Sequence, residues 1–257
     1  MNYYFLIEDS KSLYNVLPIW LTYMGFKATE VGNLQEVNKD NYILQSGFGY
    51  TQLVTKALFD TIDTILSYGK IDQLILILDA EETNAIERRT EVFSKIYNRY
   101  SDKHLPFEIF LLVTNRCFET WLLGGAAFLF PTMVDPSSFF YESYQHYNIK
   151  TQDPELMPKP LSFRKSTAKY HFQYCHDLFL YNNIHYRKNK PDSAIDYEFF
   201  NKICDRVYNT NHVRSFKEFV DFFKEENTTG LSYNEYLHNN GIKQDNMMEI
   251  SSDTERI

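Results

Sequence analysis

Leu74-Ile75-Leu76-Ile77-Leu78-Asp79-Ala80-Glu81-Glu82 is the stretch that decides the fold: five aliphatic residues in a row, then three acids in four positions. An unbroken aliphatic run suits a strand buried on both faces, and such strands belong to parallel sheets covered by helices on each side. On either side of this run the same alternation of strand and helix repeats. Upstream, Tyr3 to Ile7 is a second apolar run that stops at Glu8-Asp9. It is followed by Leu13, Val16, Leu17, Trp20, Leu21 and Met24 at helical spacing, with Ser10 as the expected N-cap and Gly25 as the stop. Short strands are expected near Phe26 to Val31 and Tyr42 to Gln45, and a helix over Tyr50 to Tyr68 closed by Gly69. Downstream come a charged helix from Thr83 to Tyr100, a strand from Phe107 to Val113 and a helix from Cys117 to Phe128. The predicted class is α/β, a parallel-sheet core flanked by helices.

After Pro131 the strand runs cease. Tyr170, Tyr174, Leu178 and Tyr181, and later Val213, Phe216, Phe219, Val220 and Phe223, recur at helical spacing. The expected organisation is therefore a catalytic-type α/β domain over 1–135, a helical, aromatic-rich subdomain over 136–243 and a mobile polar tail over 244–257.

The 257 residues carry a net charge of −8, so the chain is no general polycation and any nucleic-acid site must be local. Three cysteines, Cys117, Cys175 and Cys204, form no C-x-x-C pair and fit a reducing cytoplasm better than a disulfide framework. The longest apolar run, Trp121 to Phe130, is too short to span a bilayer, so no membrane partner is expected.

In a parallel sheet the strand ends share one edge, and ligands bind in the crevice outside it. Glu8, Asp79 and Glu81 end their strands and should meet there. Carboxylates crowded together repel one another unless a cation lies between them, and all-oxygen ligation suits Mg2+ or Mn2+. The bland alternative is that they are strand-end acids in solvated turns.

These residues resemble the TOPRIM (topoisomerase-primase) domain, in which a strand ending in Glu precedes a helix and a later aliphatic strand ends in Asp-x-Asp or Asp-x-Glu. Phe5-Leu6-Ile7-Glu8 and Leu74 to Glu81 supply the two pieces, and Asn115-Arg116-Cys117-Phe118-Glu119-Thr120-Trp121-Leu122-Leu123 looks like the Cys-Phe-Glu-x-Trp box of the RloB-like branch, grouped with OLD-type nucleases of anti-phage systems. The resemblance covers about residues 3 to 125. It implies a metal-dependent endonuclease in which Asp79 and Glu81 hold a divalent ion, Glu8 binds a second or acts as general base, and Glu119 faces the same crevice. Two departures stand out: Asp9 where the family usually has Gly, and Glu81 where many members have Asp. Glu119 has a second reading, as a first-turn acid offsetting its helix dipole.

A substrate signal lies between Leu156 and Lys190, where seven Lys and Arg residues face one acid, a net of +6 that leaves −14 for the remainder. Arg164, Lys165, Arg187 and Lys188 are the candidates for phosphate contact, and the interleaved aromatics either stack bases or form a helix core. His171, Cys175 and His176 lack a second ligand pair for zinc, and Gly47-x-Gly49 lacks the Lys of a P-loop. With no ATPase motif in the chain, the resemblance to the effector of PARIS-type systems implies a separate ATPase partner. DNA or RNA, tRNA included, is the expected substrate; self-association is an open alternative, as is a catalytically silent TOPRIM-like adaptor or sensor.

Overall fold

The computed structural model describes residues 1–192, 196–224 and 228–242; the polar tail expected over 244–257 lies outside them. Five strands, β1 (Tyr3–Ile7), β2 (Thr29–Glu30), β3 (Asn41–Ser46), β4 (Gln73–Asp79) and β5 (Glu108–Thr114), form one sheet in the order β2-β3-β1-β4-β5, all parallel. The chain leaves β1 to one side and returns on the other, so the carboxyl end of β1 faces the crevice where the strand order reverses.

Alternation along the strands sends two sets of side chains to opposite faces. Phe5, Ile7, Ile75, Ile77, Phe110 and Leu112 point into one core, and Tyr4, Leu6, Leu74, Leu76, Leu78, Leu111 and Val113 into the other. The second face is covered by α2 (Tyr50–Gln52), a π-helical turn over Leu53–Ala57, α3 (Leu58–Tyr68) and α4 (Ala85–Tyr100), with α10 (Tyr233–Asn239) against α4 and β5. Gly69 adopts φ +62° after α3, the left-handed stop its position predicted.

The first face carries α1 (Ser12–Tyr23), α5 (Phe118–Gly125) and α9 (Arg214–Phe223), the last packed directly on β5, with α7 (Thr167–Tyr181) and α8 (Tyr197–Thr210) against α5; α6 (Tyr141–His146) lies on the same side. Trp20 and Trp121 are wholly buried at its centre, and Phe216 and Phe219 of α9 stand 5.2 and 5.0 Å from the Trp121 ring. Residues from 136–243 thus complete the same core as residues 1–135. Truncating an aromatic so placed costs about 3–5 kcal/mol.

Two local expectations change. The cap of α1 is not Ser10: the Asp9 carboxylate accepts the N–H groups of Lys11, Ser12 and Tyr14 at 3.3, 3.0 and 3.5 Å. The strand expected from Phe26 shrinks to Thr29–Glu30, because the Phe26 ring turns inward onto Tyr3, Phe5 and Phe223. Cys117, Cys175 and Cys204 are all free thiols, and among the described residues no helix is long and apolar enough to cross a membrane.

Candidate active site

Register places the acids before any side-chain contact is considered. Ile7 pairs with Ile77, so Glu8 and Asp79 end adjacent strands, and Asp79 pairs with Thr114 at the end of β5. The backbone of Glu8 is held on both sides, its N–H donating to the Ile77 carbonyl at 2.9 Å and its carbonyl accepting the Gly49 N–H at 2.7 Å. Gly49 sits at φ +94°, and a Cβ on Gly47 would lie 2.8 Å from the Leu53 side chain, so the Gly47-x-Gly49 loop is a tight turn that buttresses β1.

The two carboxylates meet through the backbone: the Asp79 N–H donates to Glu8 Oε2 at 2.9 Å, and the Thr114 hydroxyl donates to Asp79 Oδ1. Among the described residues Glu8 Oε1 and Asp79 Oδ2 receive no hydrogen bond. Burial pushes the Glu8 carboxyl up to about 7; the hydrogen bond from Asp79 opposes this, the charge of Glu81 adds to it, and Arg88 weakens it. Asp79 is raised well above the usual carboxylate range, first by burial and then by the charge of Glu8, with the Thr114 hydrogen bond opposing.

The other acids are employed differently. Glu81 is exposed in a left-handed conformation at φ +54°, with its carbonyl held by Arg116 Nη1 at 3.2 Å; it reaches Glu8 only through space. Glu82 turns to α7, where its carboxylate accepts the Thr167 N–H and, at 2.9 Å, the Thr167 hydroxyl. Glu119 is completely buried, with Lys188 Nζ at 3.0 Å and the Tyr186 hydroxyl, also 3.0 Å away, donating to it. Burial, the largest single influence, would lower the Lys188 pKa, but the charge and hydrogen bond of Glu119 together with the charges of Cys117 and Asp79 raise it overall.

The structure therefore brings Glu8 and Asp79 together, leaves the Glu81 carboxylate outside that contact, and neutralises Glu119 internally. Among the described residues no three Asp, Glu, His or Cys side chains converge on a ready-made metal site. The pair nevertheless fits a hard divalent cation: its donors are all oxygen, one oxygen of each is uncommitted, and each acid is raised by the charge of a neighbouring acid, Glu81 and Asp9 for Glu8 and Glu8 for Asp79.

Of the basic candidates, Lys188 lies near the crevice, ion-paired to Glu119 and raised in part by the charge of Asp79. Arg187 beside it is exposed, as are Arg164 and Lys165 in the turn before α7, three and two residues from the Thr167 that Glu82 holds. The zinc alternative disappears in the core: His171 accepts from Thr120 at 2.8 Å and donates to the Met157 carbonyl at 2.9 Å, while burial lowers its pKa to about 4.

Three contributors escaped the sequence reading. Thr114 orients Asp79, and only strand register reveals it. Arg88, buried in α4, donates to the Ala80 carbonyl at 3.0 Å and so pins the loop after β4. Phe48, exposed at φ +59° in the loop after β3, joins Glu81 and Arg116 (φ +86°) as left-handed non-glycine residues on this one edge. Such backbone costs about 1–3 kcal/mol each and collects where a site has to be shaped. No protein-family model, curated protein or solved structure matches the chain.

Proposed function

We propose that this chain is a divalent-metal-dependent nuclease whose reaction centre is the Glu8–Asp79 pair. The observation that carries the reading is a pair of carboxylates at the switch point of a parallel sheet, both raised first by burial and then by neighbouring acids, Glu81 and Asp9 for Glu8 and Glu8 for Asp79, without an ion-pairing Lys or Arg between them among the described residues. The TOPRIM and RloB-like resemblance of the flanking motifs supplies the substrate class, nucleic acid, and the setting, an anti-phage effector controlled by a separate ATPase. Glu8 Oε1 and Asp79 Oδ2 would hold Mg2+ or Mn2+, which when bound supplies Lewis-acid polarisation of the phosphoryl oxygen.

The remaining roles belong to the chain's own groups. With its pKa raised to about 7, Glu8 is balanced between its two protonation states near neutrality and can take a proton from an attacking water. Thr114 fixes the Asp79 carboxylate, and Arg88 and Arg116 hold the acid-bearing loop by its carbonyls. Arg164, Lys165 and Arg187 are exposed and available to backbone phosphates, and Phe48 offers an exposed ring to a base.

The test is a cleavage panel of tRNA, single-stranded RNA, duplex DNA and supercoiled DNA with Mg2+ or Mn2+, alone and with the candidate ATPase. Cutting that EDTA stops and that Glu8→Gln and Asp79→Asn both abolish supports the reading; cutting that survives both substitutions sinks it. A second reading, a silent adaptor, draws on the outward position of Glu81 and the internal neutralisation of Glu119. It predicts no cutting under any condition, together with partner binding that Glu8→Gln leaves intact.

A further inference from the structure

At the other end of α5 from Glu119, about 9 Å along the helix by its rise per residue, a second cleft of about 430 Å3 opens between the Gly124-Gly125 pair, α8 and the turn at Lys150. Its walls carry three cations, Lys150, Lys202 and Arg206, and one acid, Asp205. Among the described residues none of the three cations is in an ion pair; Lys202 lies over the Phe128 ring at 4.8 Å.

Arg206 is the telling group. It is only 8% exposed, and its Nη2 donates to the carbonyls of Ile149 and Gln152 at 2.5 and 2.8 Å and lies 3.1 Å from His212 Nδ1. Among the described residues its Nε and Nη1 have no acceptor. A guanidinium is charged at every physiological pH, and a buried charge with unmatched donors costs several kcal/mol unless a counter-anion relieves it. Asp153 acts on it through space, but its Oδ1 is committed to the N–H groups of Glu155 and Val213, both at 3.0 Å. The glycine pair is built for close approach: a Cβ on Gly125 would stand 2.7 Å from Ile203 of α8 and one on Gly124 2.8 Å from Val213 at the start of α9, so the α5 backbone touches both side chains.

We infer that this cleft is an anion site for a phosphoryl group, separate from the carboxylate crevice. Three cations without ion pairs among the described residues line one cleft against a single acid, a net positive wall that suits the several anionic oxygens of a phosphoryl group, with Arg206 contributing its charge from within the wall. The phosphoryl group can arrive on a small phosphate or as part of a polynucleotide backbone, and the two sources separate experimentally. The inference needs no catalysis and stands whether or not the nuclease reading does.

The experiment runs in EDTA, so that no metal in the carboxylate crevice contributes. Pyrophosphate binding is followed by calorimetry and binding of a fluorescein-labelled single-stranded RNA by anisotropy, for the wild-type chain and for Lys150→Glu/Lys202→Glu. Lys150 is exposed and Lys202 half-buried over the Phe128 ring, and a matching circular-dichroism melt verifies that the double variant folds. Pyrophosphate binding that falls at least about 10-fold in the double variant establishes the site with a small phosphate as ligand. RNA binding alone falling by that factor, with a shallower salt dependence, assigns the site to a polynucleotide backbone. If the wild type binds neither probe, or the double variant binds both as tightly as the wild type, the inference is overturned.

Discussion

Asp79 and Glu119 are both carboxylates set into the same region of the protein, yet the chain treats them in opposite ways. Glu119 receives Lys188 and Tyr186 and is left with nothing to gain from a ligand. Asp79 receives one hydroxyl and a second carboxylate, and is raised by both burial and repulsion. The first arrangement is complete; the second has, among the described residues, no cation in contact with it. An acid whose counter-charge is missing marks a place for a cation or a proton, whereas an acid with its counter-charge supplied is architecture.

The strongest way to break this contrast is to remove the acids in turn. Glu8→Gln and Asp79→Asn are each expected to lower cleavage about 10²–10⁴-fold while leaving the fold intact, measured as initial rates beside thermal melts. Next in size is the architectural pair. Lys188→Met strands Glu119, which is 0% exposed, and should cost about 3–5 kcal/mol in a urea titration; the double variant Lys188→Met/Glu119→Leu should recover most of that loss. Equal stability of the single and double variants would show that the ion pair is not what holds Glu119.

A third test sharpens the contrast with metal. Mg2+ or Mn2+ at about a hundred times its Kd should stabilise the wild type by about 2.7 kcal/mol, and not at all in Asp79→Asn. A wild-type melt indifferent to both ions would remove the cation from the Glu8–Asp79 pair.

The smallest effect concerns pH. A carboxyl whose folded pKa is raised binds more protons folded than unfolded between about 4.5 and 7, so its contribution to stability is present below the unfolded value and is lost as pH rises through that window. Glu8→Gln should therefore flatten the fall of Tm between pH 5 and 8, by about 2–4 °C for each kcal/mol relieved. Glu155, buried and also raised to about 7, retains its share of the slope in that variant. His171 works the other way at lower pH: its depressed pKa of about 4 means that stability drops as pH falls from 6.5 toward 4.

How much of this was legible from the residues depends on the range of the interaction. Aliphatic runs and helical spacing are local, so β1, β3, β4 and β5 and the helices between them lie close to where their patterns put them. Acids at strand ends share an edge by topology, which brought Glu8 and Asp79 within reach of a sequence argument. Glu81 eluded it because one left-handed residue re-aims a side chain and no pattern announces that in a non-glycine position. Lys188 was read as a surface phosphate contact and stands instead against Glu119, 69 positions away. A partner that distant is set by how the segment after α7 folds back, which hydropathy does not encode. The helical region is likewise visible as helices, but its fusion with the α/β core follows from Trp121 meeting Phe216 and Phe219 across the chain.

The outer edge of β5 is closed late. The Leu111 N–H donates to the Leu231 carbonyl, and Phe110 bridges Ser232, so the strand nearest that border is covered by a segment about 120 residues further along. On the ribosome, at roughly 5–20 residues per second, that edge stays bare for roughly 6–24 s after it emerges. Throughout that interval an uncovered row of amide and carbonyl groups along a strand that is apolar from Ile109 to Val113 is open to pairing with neighbouring chains. The yield of native protein should accordingly depend on chaperone supply during synthesis, and a chain released before residue 231 should accumulate in the insoluble fraction.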